Sequence, residues 1–289
     1  MTDHLPMTVP AAITPAQRTS LINLVRRTAR TEILPRFRDL SSLQIDTKSG
    51  PQDLVTEADR ASEKMIARGL IRMFPNALII GEEDVAENPD ILDKIADAPL
   101  SFTIDPVDGT WNFAHGLTLF GVILSATRFG TPVFGLLYDP ITDDMIIADD
   151  TGPALQVKPR RATRTLSVSK GGAVEDLVGY LGLTHLPENR KVAVAATLPK
   201  FGRVTSMGCS CHEFRMLAQG HVDFVFSAGL TPWDHAAGAL IAQRAGGHVA
   251  LLDGTDYRAD APRSAYLLAA SDEKTWNNIR DTFAFLLEG

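Results

Sequence analysis

The chain has 289 residues, 45% hydrophobic and 22% charged, the composition of a globular protein with a sizeable core in one large or two moderate domains. A formal net charge of −7 argues against the basic footprint of a nucleic-acid binder, and no apolar run reaches the roughly 18 residues of a membrane span. Cys209 and Cys211 stand two positions apart, poorly placed for a disulfide, and no clustered His completes a zinc site; with no leader pattern over residues 1–15, the expectation is a reduced, cytoplasmic protein.

Residues 1–13 contain two prolines and little periodicity, and read as a loose arm. Thr14-Pro15 is a helix start, a capping hydroxyl followed by proline. Leu21, Leu24, Val25, Thr28, Ala29 and Ile33 then recur at helical spacing until Pro35, which should end or kink the helix near residue 34. Residues 39–53 are polar and hold Lys48, Gly50, Pro51 and Asp53, which predicts a loop. The stretch Asp53-Leu54-Val55-Thr56-Glu57-Ala58-Asp59 leads into a second helix with Ala61, Met65, Ile66, Leu70 and Met73 as its apolar positions. Asp59 falls in its first turn, where the helix dipole favours a carboxylate.

Residues 77–80 form a short apolar strand closed by Gly81-Glu82-Glu83, and the acidic tract up to Asp93 reads as a loop and a solvated helix. Ser101-Phe102-Thr103-Ile104 is a buried strand. After Asn112, β-rich runs at 119–127, 132–137 and 145–148 predict an antiparallel meander. The Pro-, Arg- and Thr-rich stretch 150–172 suggests a boundary. It divides an α+β unit, residues 1–155, with the antiparallel sheet and most of the acids, from an α/β unit, residues 156–289, that carries Asp234. The second unit is expected to run strand 192–196, helix 210–219, strand 223–226, helix 234–244, strands 248–252 and 265–270, and helix 273–287.

The chemistry concentrates at element ends. Asp105 and Asp108 bracket the end of a buried strand, and Gly109-Thr110 follows at once. A buried carboxylate is costly unless paired or bound to a cation, and a Gly-Thr step opening a helix offers free N–H groups to a phosphate. The alternative for this stretch is an ordinary strand end with an Asp cap. Glu82, Asp59 and Asp234 also stand where elements begin or end. Acids placed so can converge, and hard oxygen ligands of this kind suit Mg²⁺.

Asp105-Pro106-Val107-Asp108-Gly109-Thr110-Trp111-Asn112-Phe113 resembles the first signature of the inositol monophosphatase family. Trp233-Asp234-His235-Ala236-Ala237-Gly238-Ala239-Leu240, running on to Ala245-Gly246-Gly247, resembles the second, and Gly81-Glu82-Glu83 and the 53–59 stretch are similar to further family segments. The likeness spans residues 14–285. It implies a five-layer αβαβα sandwich, a homodimer, sensitivity to lithium, and Mg²⁺-dependent hydrolysis of a phosphate monoester by an activated water, with two or three Mg²⁺ per site. By the same resemblance Glu82, Asp105 and the Val107 carbonyl hold a first ion, and Asp105, Asp108 and Asp234 a second. A third leans on Glu82. Gly109 and Thr110 offer N–H groups to the phosphate, and the Thr110 hydroxyl orients the water with Asp59 as its partner. Lys48 has at most a supporting electrostatic role.

The likeness breaks at the alcohol end. Ser227 stands where inositol-specific members have a glutamate, and the Gly-Cys-Ser-Cys run at 208–211 replaces a small Ala-rich one. The substrate wall is therefore assigned to Cys209, Ser210 and Ser227, with Asp108. The expected partner is a small phosphorylated metabolite, with no nucleic acid and no membrane. Histidinol phosphate and fructose 1,6-bisphosphate are the alternative substrates, and a regulatory protein of the transcription machinery is the alternative of another class. His115, His212 and His235 are expected to pack or cap, and the thiols to be small packing residues.

Overall fold

The computed structural model describes residues 13–39, 45–47 and 54–288. Thr14 and Gln17 close a reciprocal capping box, and helix α1 spans Pro15–Thr28. Its α-ladder stops short of residue 34. The chain continues as a π turn, Ala29–Ile33, and a 3₁₀ turn, Leu34–Arg36, built around Pro35, whose ring has no N–H to extend the ladder. The expected loop at 39–53 contains a strand: β1 (Ile45–Thr47) pairs antiparallel with β2 (Leu54–Thr56). Lys48, Gly50, Pro51 and Asp53 lie outside the described residues.

Helix α2 (Glu57–Met73) buries Ala58, Asp59, Ser62, Glu63, Ile66 and Leu70. Strand β3 (Leu78–Gly81) gives way to a short helix α3 (Glu82–Glu87), so Glu82 opens a helix rather than closing a strand. Then follow β4 (Ser101–Asp108), α4 (Thr110–Ala114), β5 (Gly121–Arg128), β6 (Thr131–Asp139), β7 (Asp144–Asp149), β8 (Leu155–Val157) and β9 (Arg164–Thr165). β3 to β9 form one seven-stranded sheet in sequence order, so this sheet continues past residue 155. It is antiparallel except for the parallel β3–β4 pair.

The second half contains β10 (Val178–Leu181), α5 (Glu188–Thr197), β11 (Arg203–Thr205), α6 (Ser210–Ala218), β12 (Phe224–Ala228), α7 (Pro232–Arg244), β13 (His248–Leu251), β14 (Tyr266–Ala270) and α8 (Glu273–Thr282). Its five strands order as β11-β10-β12-β14-β13. The strand expected at 192–196 is instead part of α5. Two valines at alternate positions suggested β, but Val192 is 81% exposed and only Val194 enters the core, as a helix needs. The closing helix ends at Thr282 and is followed by a 3₁₀ turn, Ala284–Leu286. β10 and β11 were not expected; strands of three or four residues leave no room for a periodic signal.

Three cores separate five layers. The first lies between α1, α2 and the seven-stranded sheet, where β5 sends Val122, Leu124 and Ala126. Ile123, from the opposite face of the same strand, joins Ile80 and Leu137 under α6 and α7 in the second core, which also receives Val225, Leu267 and Ala269 from the five-stranded sheet. The other face of that sheet packs Phe224, Phe226 and Leu268 against Val194 of α5 and Trp276 and Ile279 of α8. The alternation follows the two-residue period of a strand. The result is the αβαβα sandwich.

Helix α7 is covered on both sides and is apolar nearly all round, with Ala236, Ala237, Ala239 and Ala242 buried. It sits so close to β6 that a Cβ on Gly135 would stand 2.8 Å from the Ala237 carbonyl oxygen and 3.0 Å from its Cα. Backbone cannot yield there as a side chain can. Gly135→Ala should therefore cost about 1–3 kcal/mol of stability, read as a lower urea midpoint at unchanged m-value; an unchanged midpoint would show that α7 can shift freely.

Candidate active site

In a regular strand, residues three apart point to opposite faces. Asp105 pairs with Ile123 and Asp108 with Gly121, so three steps on β4 oppose two on β5. This bulge, at Pro106 and Val107, turns both carboxylates to one side. A proline suits it, because a bulged position need not donate to the ladder. Helix α7 brings the third acid. Asp234 lies in its first turn, held by the Thr231 hydroxyl, which donates to Oδ2 at 2.6 Å. Thr103 of β4 donates to the Pro232 carbonyl at 3.3 Å, tying the start of α7 to the same strand. Ligand oxygens of Asp105, Asp108 and Asp234 consequently all lie within 4.8 Å of one another.

Glu82 arrives by register. β3 and β4 are parallel with Gly81 opposite Ile104, so Glu82, which follows the end of β3, comes beside Asp105, the next residue of β4. Glu82 stands outside the three-acid set, yet its charge bears on Asp105 more than that of any other neighbour.

Asp108 joins the two halves. Its carboxylate accepts from the N–H of Ser210 at 3.2 Å, from the N–H of Cys211, and from the Cys209 thiol at 3.1 Å, so it caps α6 across the molecule. Cys209 and Ser210, expected at the substrate wall, thus have their donors on Asp108. Ser227 follows Val225 on the face of β12 turned toward α6 and α7. Burial raises both thiols well above the usual cysteine range, which leaves them as neutral packing and hydrogen-bonding groups. The buried Arg215 further fixes α6, donating to the Leu137 and Asp144 carbonyls at 3.0 Å and pairing with Asp144 at 3.1 Å.

At the other flank, Gly109 takes φ +86°. A Cβ there would stand 2.8 Å from the Leu119 carbonyl oxygen and 3.2 Å from the Cys209 Cβ, so only glycine fits. Thr110 opens α4 and its hydroxyl lies 3.2 Å from Asp59 Oδ1 and 3.1 Å from the Val107 carbonyl. The opposite oxygen of Asp59 accepts the N–H and hydroxyl of Thr56 at 2.8 and 2.5 Å. Asp59 is therefore both an N-terminal cap and a partner of Thr110. The Val107 N–H, in turn, donates to Asp105 at 3.1 Å.

Electrostatics sets the demand of this centre. Burial, then the charges of Glu82, Asp108 and Asp234, drives the Asp105 carboxyl well above the ordinary range. Burial and the Asp234 charge lift Asp108 to about 7, against the hydrogen bonds from Cys211 and Cys209. Like charges so close cannot all ionise unaided. A hard cation removes the conflict, and an all-oxygen set of carboxylates with a nearby carbonyl is the donor chemistry that a divalent ion takes.

The three histidines meet backbone rather than the acids: His115 Nδ1 lies 2.7 Å from the Trp111 carbonyl, His212 Nε2 3.0 Å from that of Phe120, and His235 Nδ1 2.8 Å from that of Thr231. Sequence reasoning missed Thr231, Glu213 and Glu63. Glu213 holds the Ser206 hydroxyl at 3.1 Å and the Met207 N–H at 2.7 Å, and burial lifts it to about 7. Of the three, only Glu63 carried a sequence signal, four positions after Asp59 on the same helix face.

A five-layer sandwich whose acid centre adjoins a glycine-opened turn is the equipment of a phosphoric monoester hydrolase. The model of the inositol monophosphatase family matches residues 16–283, and the chain belongs to that family. Inositol-1-monophosphatase of Bacillus subtilis is 30% identical over 219 residues, 75% of this chain and 79% of that protein. A fructose-1,6-bisphosphatase/inositol-1-monophosphatase of Thermotoga maritima is 29% identical over 215 residues, 74% of this chain and 78% of that protein. The crystal structure of extragenic suppressor protein suhB from Bartonella henselae superposes with a TM-score of 0.77 at 26% identity, covering 94% of this chain and 98% of that one. Among the described residues no helix is long and apolar enough to cross a membrane.

Proposed function

We propose that the protein hydrolyses a small-molecule phosphate monoester, in the manner of an inositol monophosphatase, in a Mg²⁺-dependent reaction without a phospho-enzyme. The observation that carries this is the convergence of Asp105, Asp108 and Asp234 within 4.8 Å, beside Gly109 and Thr110. Glu82, Asp105 and the Val107 carbonyl would hold one Mg²⁺, Asp105, Asp108 and Asp234 a second, and Glu82 would support a third. Bound there, Mg²⁺ supplies charge for the phosphoryl oxygens and acidifies water near neutral pH.

The chain's own residues do the remainder. With its hydrogen on Asp59, the Thr110 hydroxyl turns a lone pair toward the attacking water and aims it at phosphorus. The N–H groups of Gly109 and Thr110 take charge developing on the phosphoryl oxygens. The attacking water releases a proton to solvent as it bonds to phosphorus, the phosphorus–alkoxide bond breaks in line, and the leaving oxygen recovers a proton from water. Ser227, with no carboxylate for sugar hydroxyls, predicts loose discrimination among alcohols.

A panel of inositol 1-phosphate, fructose 1,6-bisphosphate and histidinol phosphate, with and without Mg²⁺, tests this. Turnover of at least one, lost on chelation, is expected, with kcat/KM values within roughly 100-fold across the panel. Folded protein with no Mg²⁺-dependent turnover would refute the phosphatase reading. Dominance of fructose 1,6-bisphosphate would favour the activity named for the Thermotoga maritima relative. A homodimer free of nucleic acid and working in the cytoplasm completes the proposal, and light scattering in solution checks its mass.

A further inference from the structure

Helix α2 sends two buried acids from one face, four residues apart. Asp59 goes to Thr110. Glu63 goes the other way: its carboxylate accepts the Glu83 N–H at 2.8 Å on Oε2 and the Asp84 N–H at 3.1 Å on Oε1. These are N–H groups of the first turn of α3, the helix that Glu82 opens. The residue before it, Gly81, supplies no side-chain cap, and a Cβ on Gly81 would run into the Glu63 carboxylate.

This arrangement is costly for a six-residue helix. A Ser, Thr or Asp at position 81 would cap it locally, without a carboxylate from another helix. Instead a carboxylate is withdrawn from water and carried in from another helix, and its burial pushes it up to about 7. What a local cap could not do is fix the start of α3 to α2. We infer that Glu63 is a positioning residue that clamps the first turn of α3 and thereby sets Glu82 against Asp105. α2 would then act as a rigid bar whose Asp59 serves the water-aiming hydroxyl and whose Glu63 serves the cation side. The inference rests on the proposed cation centre and adds a residue that touches neither cation nor substrate.

The test measures cation binding directly, by titration calorimetry of Mn²⁺ into chelator-treated full-length protein. Glu63→Gln keeps the shape but can accept with only one oxygen, and should weaken Mn²⁺ by about 10–100-fold, the usual loss for a residue that orients a metal ligand. In a Glu82→Gln background the same change should weaken binding no further, since Glu63 acts through Glu82. Gly81→Ala, which crowds the same carboxylate from the other side, should act in the same direction, and it carries the test if Glu63→Gln does not fold. Unchanged affinity in the folded variant, or an equal loss with and without Glu82, would overturn the inference while leaving the cation centre standing. Wild-type protein that binds no Mn²⁺ would overturn the centre itself.

Discussion

Asp105→Asn is expected to lower Mg²⁺-dependent turnover by more than about 100-fold while leaving the fold intact, because losing even a residue that merely orients a metal ligand costs 10–100-fold. Asp105 is the acid on which the others converge: Glu82, Asp108 and Asp234 all raise its carboxyl, and the Val107 N–H orients it. The same variant has a second signature without metal. The folded-state pKa of Asp105 lies above its unfolded value of about 4. Between those two values the folded protein binds a proton that the unfolded chain has released, so stability falls as pH rises through that window. Asparagine has no such proton. In chelator-treated protein the melting temperature of Asp105→Asn should therefore exceed that of wild type at pH 8, by a margin that shrinks toward pH 5. A margin independent of pH would mean that Asp105 is not held protonated in the fold.

Thr110→Val should lower kcat by about 10²-fold or more with KM little changed, the cost of a misplaced nucleophile. Valine keeps the branched shape at the start of α4 and removes only the hydroxyl that bridges Asp59 and the Val107 carbonyl. Thr110→Ser should restore most of the rate. Asp59→Asn should fall into the same range, and the double variant should be no worse than the poorer single one, because the two groups act as a unit. Asp59 also caps α2 through Thr56, so its substitution should cost more stability than Thr110→Val, which removes one hydrogen bond to the same carboxylate. Steady-state kinetics at saturating Mg²⁺ check all four variants; a Thr110→Val enzyme with near wild-type kcat would remove this hydroxyl from the reaction.

Some of this was open to inspection in the chain, and for identifiable reasons. Long elements stood out: α1 and α2 repeat their buried side chains at helical spacing, while β5 to β7 and α7, buried on both sides, show as apolar runs bounded by turns or by Pro232. Short or contradictory ones did not. β10 and β11 are too brief to repeat, and α5 carries valines that favour a strand while its neighbours in the third core require a helix. The layering came from the resemblance of two long signatures, not from periodicity.

The sequence by itself determined the family, and it determined which acids stand at element ends, because both are local properties of residue order. Only the tertiary structure decided how those acids meet. Asp105 and Asp108 share a side because β4 gains one residue against β5, a fact about pairing and not about either strand alone. Asp108 meets Cys209, Ser210 and Cys211 because α6 docks on the end of β4, and Glu63 meets α3 because α2 lies across β3 and β4. A carboxylate drawn from water is stable only where donors or a cation come to it from elsewhere in the chain, and that distance is closed by packing, which residue order does not display.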